Sequence, residues 1–309
     1  MRIGWRARNL AVAVPLGVAL LASACSSASP ASSGGRIVAV GAENEYANVI
    51  AQIGGNYVQV SAIMSNPNTD PHTFEASASV ARLVSAAQLV VQNGVGYDAF
   101  MNTIENAAAS SSRKVIVVQD LLGLPADTPN PHLWYKPQTM PAVANAVAAD
   151  LAALSPAHAA YFKANAAAFI ASLTAWDDAM AAFKARYPGT PVATTEPVAD
   201  YMLQAAGADI MTPWALQADI MNGTDPSAQD VAVERSLFTQ HKVKVFLYNQ
   251  QVTDSLTESF IALAQANGIP VVGVYETMPV PGYDYQSWML AEVQDLQQAV
   301  VSQVSTERL

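Results

Sequence analysis

The stretch RIVAVGAENEYANVIAQIGGNYVQVSAIM, residues 36–64, decides the fold class. It begins with a β-branched run at 36–41, continues with a segment at 43–53 that fits a helix, and ends with a second β-branched run at 57–64. Strands that alternate with helices in this way predict βα units, whose strands lie parallel in a sheet that is buried on both faces.

The same alternation continues on both sides of a helical middle region. Further strands are predicted at 87–93, 114–119, 190–195, 242–248 and 269–275. Further helices fit residues 77–86, 197–206, 227–240, 253–267 and 284–304. The pattern therefore predicts an α/β fold with two lobes, each a mostly parallel sheet flanked by helices.

A long helix is predicted between the two lobes. Ser155 is placed to cap it, Pro156 suits its first turn, and a Pro-Gly pair follows Tyr187 as a stop signal. The roughly thirty residues between these signals would span about 45 Å at 1.5 Å per residue. We therefore expect an N-terminal lobe at 36–137, an interlobe helical region at 138–188 with one long rigid linking helix, and a C-terminal lobe at 189–309.

The N-terminus has the features of an export signal. Its basic opening MRIGWRARN precedes an apolar run of about fifteen residues, which is short for a transmembrane anchor of about 20. We expect residues 1–24 to be a signal peptide, with a membrane-anchor helix as the alternative. Cys25, the only cysteine, ends the run LASAC, which resembles a bacterial lipoprotein cleavage site although Ala22 stands where leucine is usual.

Lipidation of Cys25 would anchor the protein to the outer face of the cytoplasmic membrane, and the Ser/Gly/Pro-rich residues 25–35 would form a flexible tether. Without the first 24 residues the chain keeps 12 basic and 25 acidic side chains, a net charge of −13. This balance argues against nucleic acid as a partner and is compatible with a cationic ligand.

Four side chains with metal-binding chemistry follow predicted strands. His72 and His132 lie in Pro-bounded loops of the first half, whereas Glu196 and Glu276 come directly after the strands at 190–195 and 269–275. Ligands of open parallel sheets bind beyond the carboxyl ends of the strands. Two imidazoles and two carboxylates that converge there would suit one divalent first-row cation.

Each of these residues also has an ordinary structural interpretation. A histidine in a polar loop can be a hydrogen-bonding surface residue, and a glutamate before a helix can complement the helix dipole. The latter alternative applies to Glu196 in particular, because Pro197 and a predicted helix follow it. The other two histidines, His158 and His241, are expected at the surface.

The mature chain resembles the zinc/manganese-type (cluster A-I) solute-binding lipoproteins of bacterial ABC importers. The resemblance lies in DPHTFEAS (70–77), NPHLWYKP (130–137), TTEPVADYMLQAAG (194–207) and GVYETM (273–278). It implies two α/β lobes around one bare cation, with the ligands His72, His132, Glu196 and Glu276. It also implies a monomeric receptor that delivers the ion to a membrane permease and is not an enzyme. The stretches NGVGYDAFMNTI (93–104) and TDPSAQDVA (224–232) match family segments that carry no ligand.

Three positions depart from the family pattern. Asn130 replaces a common aspartate before Pro-His, which would remove an acceptor that orients His132. Lys136 stands where an acid is frequent and would bring a positive charge near the site. Glu276 replaces the usual aspartate, so Asp284 is the alternative oxygen ligand if Glu276 points away.

The ligand types lean toward manganese or ferrous iron, because two carboxylates offer hard oxygens and the option of bidentate binding. Zinc remains an alternative, since intrinsic affinity favours it over manganese in almost any site. Two other function classes stay open. One is a lipoprotein with a degenerate site that serves as an adhesin or structural protein. The other is a metal-dependent hydrolase, which would need an open coordination position and a general base.

Overall fold

The computed structural model describes Met1, Gly4, residues 35–66 and residues 74–309. Residues Arg36–Leu309 form one compact unit, distinct from Met1–Gly35. Cys25, His72 and nearly all of the expected signal peptide and tether lie outside the described residues. None of the helices described is long and apolar enough to cross a membrane.

The first sheet contains four parallel strands in the order β2-β1-β3-β4. Its strands are β1 (Ile37–Glu43), β2 (Val58–Met64), β3 (Leu89–Gln92) and β4 (Lys114–Val117). The accompanying helices are α1 (Asn44–Gly54), α2 (Ala78–Ala86), α3 (Phe100–Ala107) and α4 (Val118–Leu121). The central strand β3 is buried along its whole length, as expected for a parallel strand covered on both faces.

The second sheet repeats this arrangement with the order β6-β5-β7-β8, again all parallel. Its strands are β5 (Thr190–Thr194), β6 (Ala208–Ile210), β7 (Val245–Asn249) and β8 (Val271–Val274). The helices of this lobe are α8 (Asp200–Ala205), α9 (Trp214–Met221), α10 (Ala228–Thr239), α11 (Ser255–Ala266) and α12 (Tyr285–Ser302). The three-residue edge strand β6 has no counterpart among the predicted strands.

The interlobe region contains three α-helices, which are α5 (Thr139–Leu154), α6 (Ala159–Ser172) and α7 (Thr174–Arg186), and a 3₁₀ helix at Pro156–His158. The long helix expected after Ser155 is present as α6 and α7 in succession. They meet at Leu173, which keeps helical backbone angles (φ −74°, ψ −14°) while its N–H bonds to the carbonyl of Ile170, three residues back. The interruption is therefore a local tightening to 3₁₀-type bonding.

One continuous hydrophobic core connects the two lobes. It joins β1 and α1 of the first lobe to the interlobe helices and to β5, β8 and α12 of the second lobe. Trp176 of α7 and Trp288 of α12 are almost fully buried within it. A capping box at Asp284 and Ser287 fixes the start of α12. Because apolar side chains of both lobes pack together in this core, large opening motions would expose much apolar surface.

Candidate metal centre

Three polar side chains follow neighbouring strands of the second sheet at their carboxyl ends. Glu196 lies two residues beyond β5, Asn249 ends β7, and Glu276 lies two residues beyond β8. Because β7 runs between β5 and β8, Asn249 is flanked by the two glutamates. Its Nδ2 donates hydrogen bonds to Glu196 Oε2 at 3.1 Å and to Glu276 Oε1 at 2.5 Å. All three side chains are buried.

His132 approaches this group from the first half of the chain. Its Nε2 lies 3.3 Å from Glu276 Oε2, and both side chains are inaccessible to solvent. Asn130 sets the position and tautomer of the His132 ring. The orientation of the Asn130 amide is itself fixed, because its Nδ2 donates to the carbonyl of Pro197 at 2.7 Å. The Asn130 Oδ1 therefore faces His132, where it accepts from the backbone N–H at 3.0 Å and lies 2.8 Å from Nδ1.

Since Asn130 Oδ1 can only accept, Nδ1 of His132 carries a proton and Nε2 faces the glutamate. The prediction that Asn130 removes an acceptor for His132 is therefore wrong. The amide oxygen of Asn130 accepts where the oxygen of the usual aspartate would.

The loop that carries His132 is fastened to the NGVGYD segment of the first lobe. Asn93 Nδ2 donates to the carbonyl of Pro131 at 2.8 Å, and its Oδ1 accepts from the Tyr46 hydroxyl at 2.7 Å. The Asp98 carboxylate in turn accepts from the backbone N–H groups of Asn93 and Gly94 at 2.6 and 2.9 Å. This segment thus supports the loop that carries His132.

Tyr97 of the same segment contacts the centre directly. Its hydroxyl donates to Glu276 Oε2 at 2.8 Å, and its ring meets Trp134 edge-on at 5.0 Å. Burial, followed by the charge of Glu276, raises the pKa of the Tyr97 phenol well above its usual value, so the group remains a neutral donor. Trp134 also packs edge-on against His132 at 5.4 Å, which places an aromatic wall beside the imidazole.

The backbone around Glu276 is held by side-chain amides. Gln251 Oε1 accepts from the N–H of Glu276 at 2.7 Å and of Thr277 at 2.8 Å. Asn44 of the first lobe makes a reciprocal pair with Met278, donating from Nδ2 to its carbonyl at 2.8 Å and accepting from its N–H at 3.0 Å. The second-lobe segment that carries Glu276 is therefore tied to the first lobe.

Buried acids surround the first-lobe side of the centre. Burial raises the pKa of Glu43 well above its usual value, and the neighbouring Asp98 raises it further. Burial likewise raises the pKa of Glu45, with an additional contribution from Glu276. Both shifts favour the neutral form of these acids, which reduces the negative charge around the centre.

The structure brings together part of the set that the sequence singles out. His132 and Glu276 are neighbours, Glu196 joins them through Asn249, and His72 lies outside the described residues. Within residues 35–66 and 74–309, no three His, Cys, Asp or Glu side chains are grouped closely enough to hold a metal ion. The four-ligand set therefore remains a prediction.

The other polar residues discussed from the sequence make contacts away from His132 and Glu276. Asp284 accepts from the Ser287 N–H as the N-cap of α12. The Lys136 ammonium lies 5.0 Å from the centre of the Tyr201 ring. His158 stacks on Tyr57 at 3.7 Å, and His241 is exposed, as expected for it.

Sequence reasoning missed the supporting amides Asn44, Asn249 and Gln251. Of these three, only Asn249 could have been identified from the sequence, since it is a polar residue at the end of the otherwise apolar run VFLYN.

Two parallel sheets joined by helices, with His132 of the first half beside Glu276 at the carboxyl end of the second sheet, define a two-lobed α/β fold whose candidate site lies beyond strand ends. The family model "Zinc-uptake complex component A periplasmic" (ZnuA) matches residues 40–299, and the chain belongs to this family. The family consists of substrate-binding proteins for transport and not of enzymes, which excludes the hydrolase alternative.

Individual relatives are distant in sequence but similar in fold. The metal ABC transporter substrate-binding lipoprotein FimA of Streptococcus parasanguinis is 24% identical over 229 residues, which are 69% of this chain and 74% of FimA. The structure of the periplasmic zinc-binding protein TroA from Treponema pallidum matches with a TM-score of 0.73 at 18% identity, covering 87% of this chain and all of TroA. A crystal structure of ZnuA matches with a TM-score of 0.70 at 22% identity, over 86% of this chain and 100% of that chain.

Proposed function

We propose that this protein is the extracytoplasmic receptor of an ABC importer, that it binds one divalent transition-metal ion, and that it delivers the ion to a membrane permease. The observation that carries the proposal is the approach of His132 Nε2 to Glu276 Oε2, 3.3 Å apart in a site closed to solvent. The orientation of the imidazole by Asn130 further supports a ligand role, because metal-binding histidines characteristically direct their second nitrogen to such an acceptor.

The ligands in this proposal are His72, His132, Glu196 and Glu276. The carboxylates come from strand ends of the second lobe and His132 from a loop of the first, so the ion would lie where the lobes meet. The ion that this receptor carries is manganese, ferrous iron or zinc. The ligand types favour manganese if the carboxylates bind through both oxygens, and zinc if they bind through one.

Lipidation of Cys25 would keep this receptor beside its permease at the membrane surface. The relative FimA is named a lipoprotein, which supports the proposal. Metabolic labelling with a fatty acid should mark the wild-type protein and leave a Cys25→Ser variant unlabelled. Equal labelling of both would contradict the anchor. The receptor itself is expected to be a monomer, which sedimentation of the mature chain tests.

Metal titration of the mature protein tests the central function. We expect about one equivalent to bind and the melting temperature to rise, since an ion that binds only the native state stabilises it by mass action. The His72→Ala variant should lose this rise, whereas His241→Ala, which changes an exposed histidine, should keep it. A protein with a degenerate site, acting as an adhesin, would show no shift with manganese, iron or zinc.

A further inference from the structure

Helix α1 of the first lobe presents three amides to the second lobe. Asn44, Asn48 and Gln52 stand at four-residue intervals, so their side chains lie along one face of the helix. All three make hydrogen bonds to one second-lobe segment, residues 278–286, which leads into α12. We call the contact between these three amides and this segment the amide seam.

The outer part of the seam is a network of side-chain amides. The Gln52 and Gln286 amides donate to each other, at 3.0 and 2.9 Å. The second N–H of the Gln52 amide reaches Asn48 Oδ1 at 2.6 Å, and the same oxygen accepts from the backbone N–H of Tyr285 at 3.2 Å. Three of these four bonds cross from the first lobe to the second.

The inner end of the seam leads to the candidate centre. Asn44 exchanges two hydrogen bonds with the backbone of Met278, two residues beyond Glu276. Tyr46 of the same helix donates to the side-chain amide that holds the loop of His132. Helix α1 is therefore a common support for both segments, and a shift along the seam changes the distance between His132 and Glu276.

The seam differs from the rest of the lobe junction in what can replace its contacts. The core beside it is formed by buried side chains such as Tyr285 and Trp288, whose apolar surface is costly to expose to water. Asn48, Gln52 and Gln286 are only half-buried, and water can replace the hydrogen bonds of such amides at a small net cost. A cavity of about 190 Å³, bordered by both glutamines, leaves room for this water. The seam can therefore part and re-form while the core stays closed.

We propose that Asn44, Asn48 and Gln52 are positioning residues for the capture and release of the ion. They hold the segment that follows Glu276 against α1 while the ion is bound, and the lobes slide along them when the ion leaves. Such a shear of packed elements moves a segment without separating the core. This inference rests on the proposed function, and it adds the contact that governs how fast the ion is exchanged.

Paired charges across the seam test the proposal. Gln52→Glu/Gln286→Lys replaces the amide pair with opposite charges, and Gln52→Lys/Gln286→Lys replaces it with like charges. Each mature protein is loaded with one equivalent of zinc, and stopped flow measures the transfer of zinc to excess chelator. The like-charge variant should release zinc at least about fivefold faster than the opposite-charge variant, as expected for charge pairs near the surface. The difference should shrink in about 1 M salt, which screens such pairs.

Ser110→Lys/Ser112→Lys is the matched control, because it adds the same two charges at exposed positions in the loop before β4. It should release zinc at the wild-type rate. The urea midpoints of the metal-free proteins are measured alongside. A seam that only stabilises the fold would change these midpoints and leave the release rates equal.

Equal release rates of the two charge pairs would overturn the inference. An equal acceleration by the control pair would also overturn it, because net charge alone would then explain the effect. If the like-charge variant does not fold, Gln52→Ala replaces it, and the inference fails if this variant releases zinc no faster than Asn145→Ala, which changes an exposed amide within α5. A wild-type protein that binds no zinc, manganese or iron would instead refute the proposed function itself.

Discussion

The two lobes have the same strand order but present their candidate ligands in different ways. In the second lobe, Glu196 and Glu276 each lie two residues beyond a strand, so the sheet itself determines where they emerge. In the first lobe, His132 lies in a loop far beyond β4 and is positioned by Asn130 of the same loop and by Asn93 of another segment. The strand ends of the second lobe therefore place its ligands, and side-chain amides then hold them, whereas the loop of the first lobe is positioned by side-chain hydrogen bonds alone.

The strongest test of this comparison is the loop ligand itself. His132→Ala should lower metal affinity by more than about 100-fold, beyond the usual effect of losing a supporting contact, because the only described imidazole of the centre is removed. Isothermal titration with zinc and manganese measures the change. His158→Ala provides the matched control, because His158 stacks on Tyr57 outside the centre and should leave affinity unchanged. An affinity within tenfold of wild type for His132→Ala would remove His132 from the site.

The next prediction concerns the support of that loop. Asn130→Ala removes both the acceptor for His132 Nδ1 and the bond to the Pro197 carbonyl, and metal affinity should fall by about 10–100-fold. Asn130→Asp keeps an acceptor oxygen and should recover most of this loss. If Ala and Asp variants bind metal equally well, the orientation of the imidazole does not depend on residue 130.

The fold was largely predictable because parallel strands leave a strong sequence signal. Apolar runs such as VFLYN and VVGV are buried on both faces, and the helices between them carry capping residues at Ser77, Ser227 and Asp254. Strand β6 was not predicted, because its three residues, ADI, are too few to show the alternation of a strand. The break at Leu173 escaped because every residue around it is compatible with a helix.

The candidate site was predictable only where a residue type has few other uses. A histidine in a Pro-bounded loop, or a glutamate just beyond a predicted strand, is conspicuous in the sequence. The amides that support them are not, since Asn44, Asn249 and Gln251 act through contacts with residues at least 25 positions away. Asn130 could not be interpreted from its residue type either. An asparagine in place of an aspartate suggested that His132 loses a hydrogen-bond acceptor, but the side chain is oriented so that its amide oxygen faces His132 Nδ1.

A smaller effect is expected where the lobes are tied together. Asn44→Ala leaves the N–H and carbonyl of Met278 without their partners in a buried position, which should lower the free energy of unfolding by about 1–3 kcal/mol. Urea titration of the metal-free protein measures the loss. Asn145→Ala removes an exposed amide that bonds within α5 and should change stability by less than about 0.5 kcal/mol. Equal stability of the two variants would mean that this tie does not hold the Glu276 segment.

The last effect is a pH dependence that involves Glu292 of α12, a buried acid in contact with Tyr135. Trp288 Nε1 donates to Glu292 Oε1 at 2.9 Å. The Tyr135 hydroxyl shares its one proton between the same Oε1 at 3.2 Å and the Tyr275 carbonyl at 2.8 Å. Burial raises the pKa of Glu292 from 4.5 to about 8, against the opposing effect of these donors, and the nearby Asp295 adds to the rise.

The folded protein therefore keeps a proton on Glu292 that the unfolded chain releases above pH 4.5. Stability should fall as pH rises from about 4.5 toward 8, by at most about 1.4 kcal/mol per pH unit from this group, and the loss should level off above pH 8. Glu292→Gln has no such proton and keeps an acceptor oxygen, so its urea midpoints at pH 6 and 7 should differ less than those of the wild type. An identical pH dependence in both proteins would show that Glu292 has the same charge in the folded and unfolded states, and that the junction of the two lobes does not hold a neutral acid.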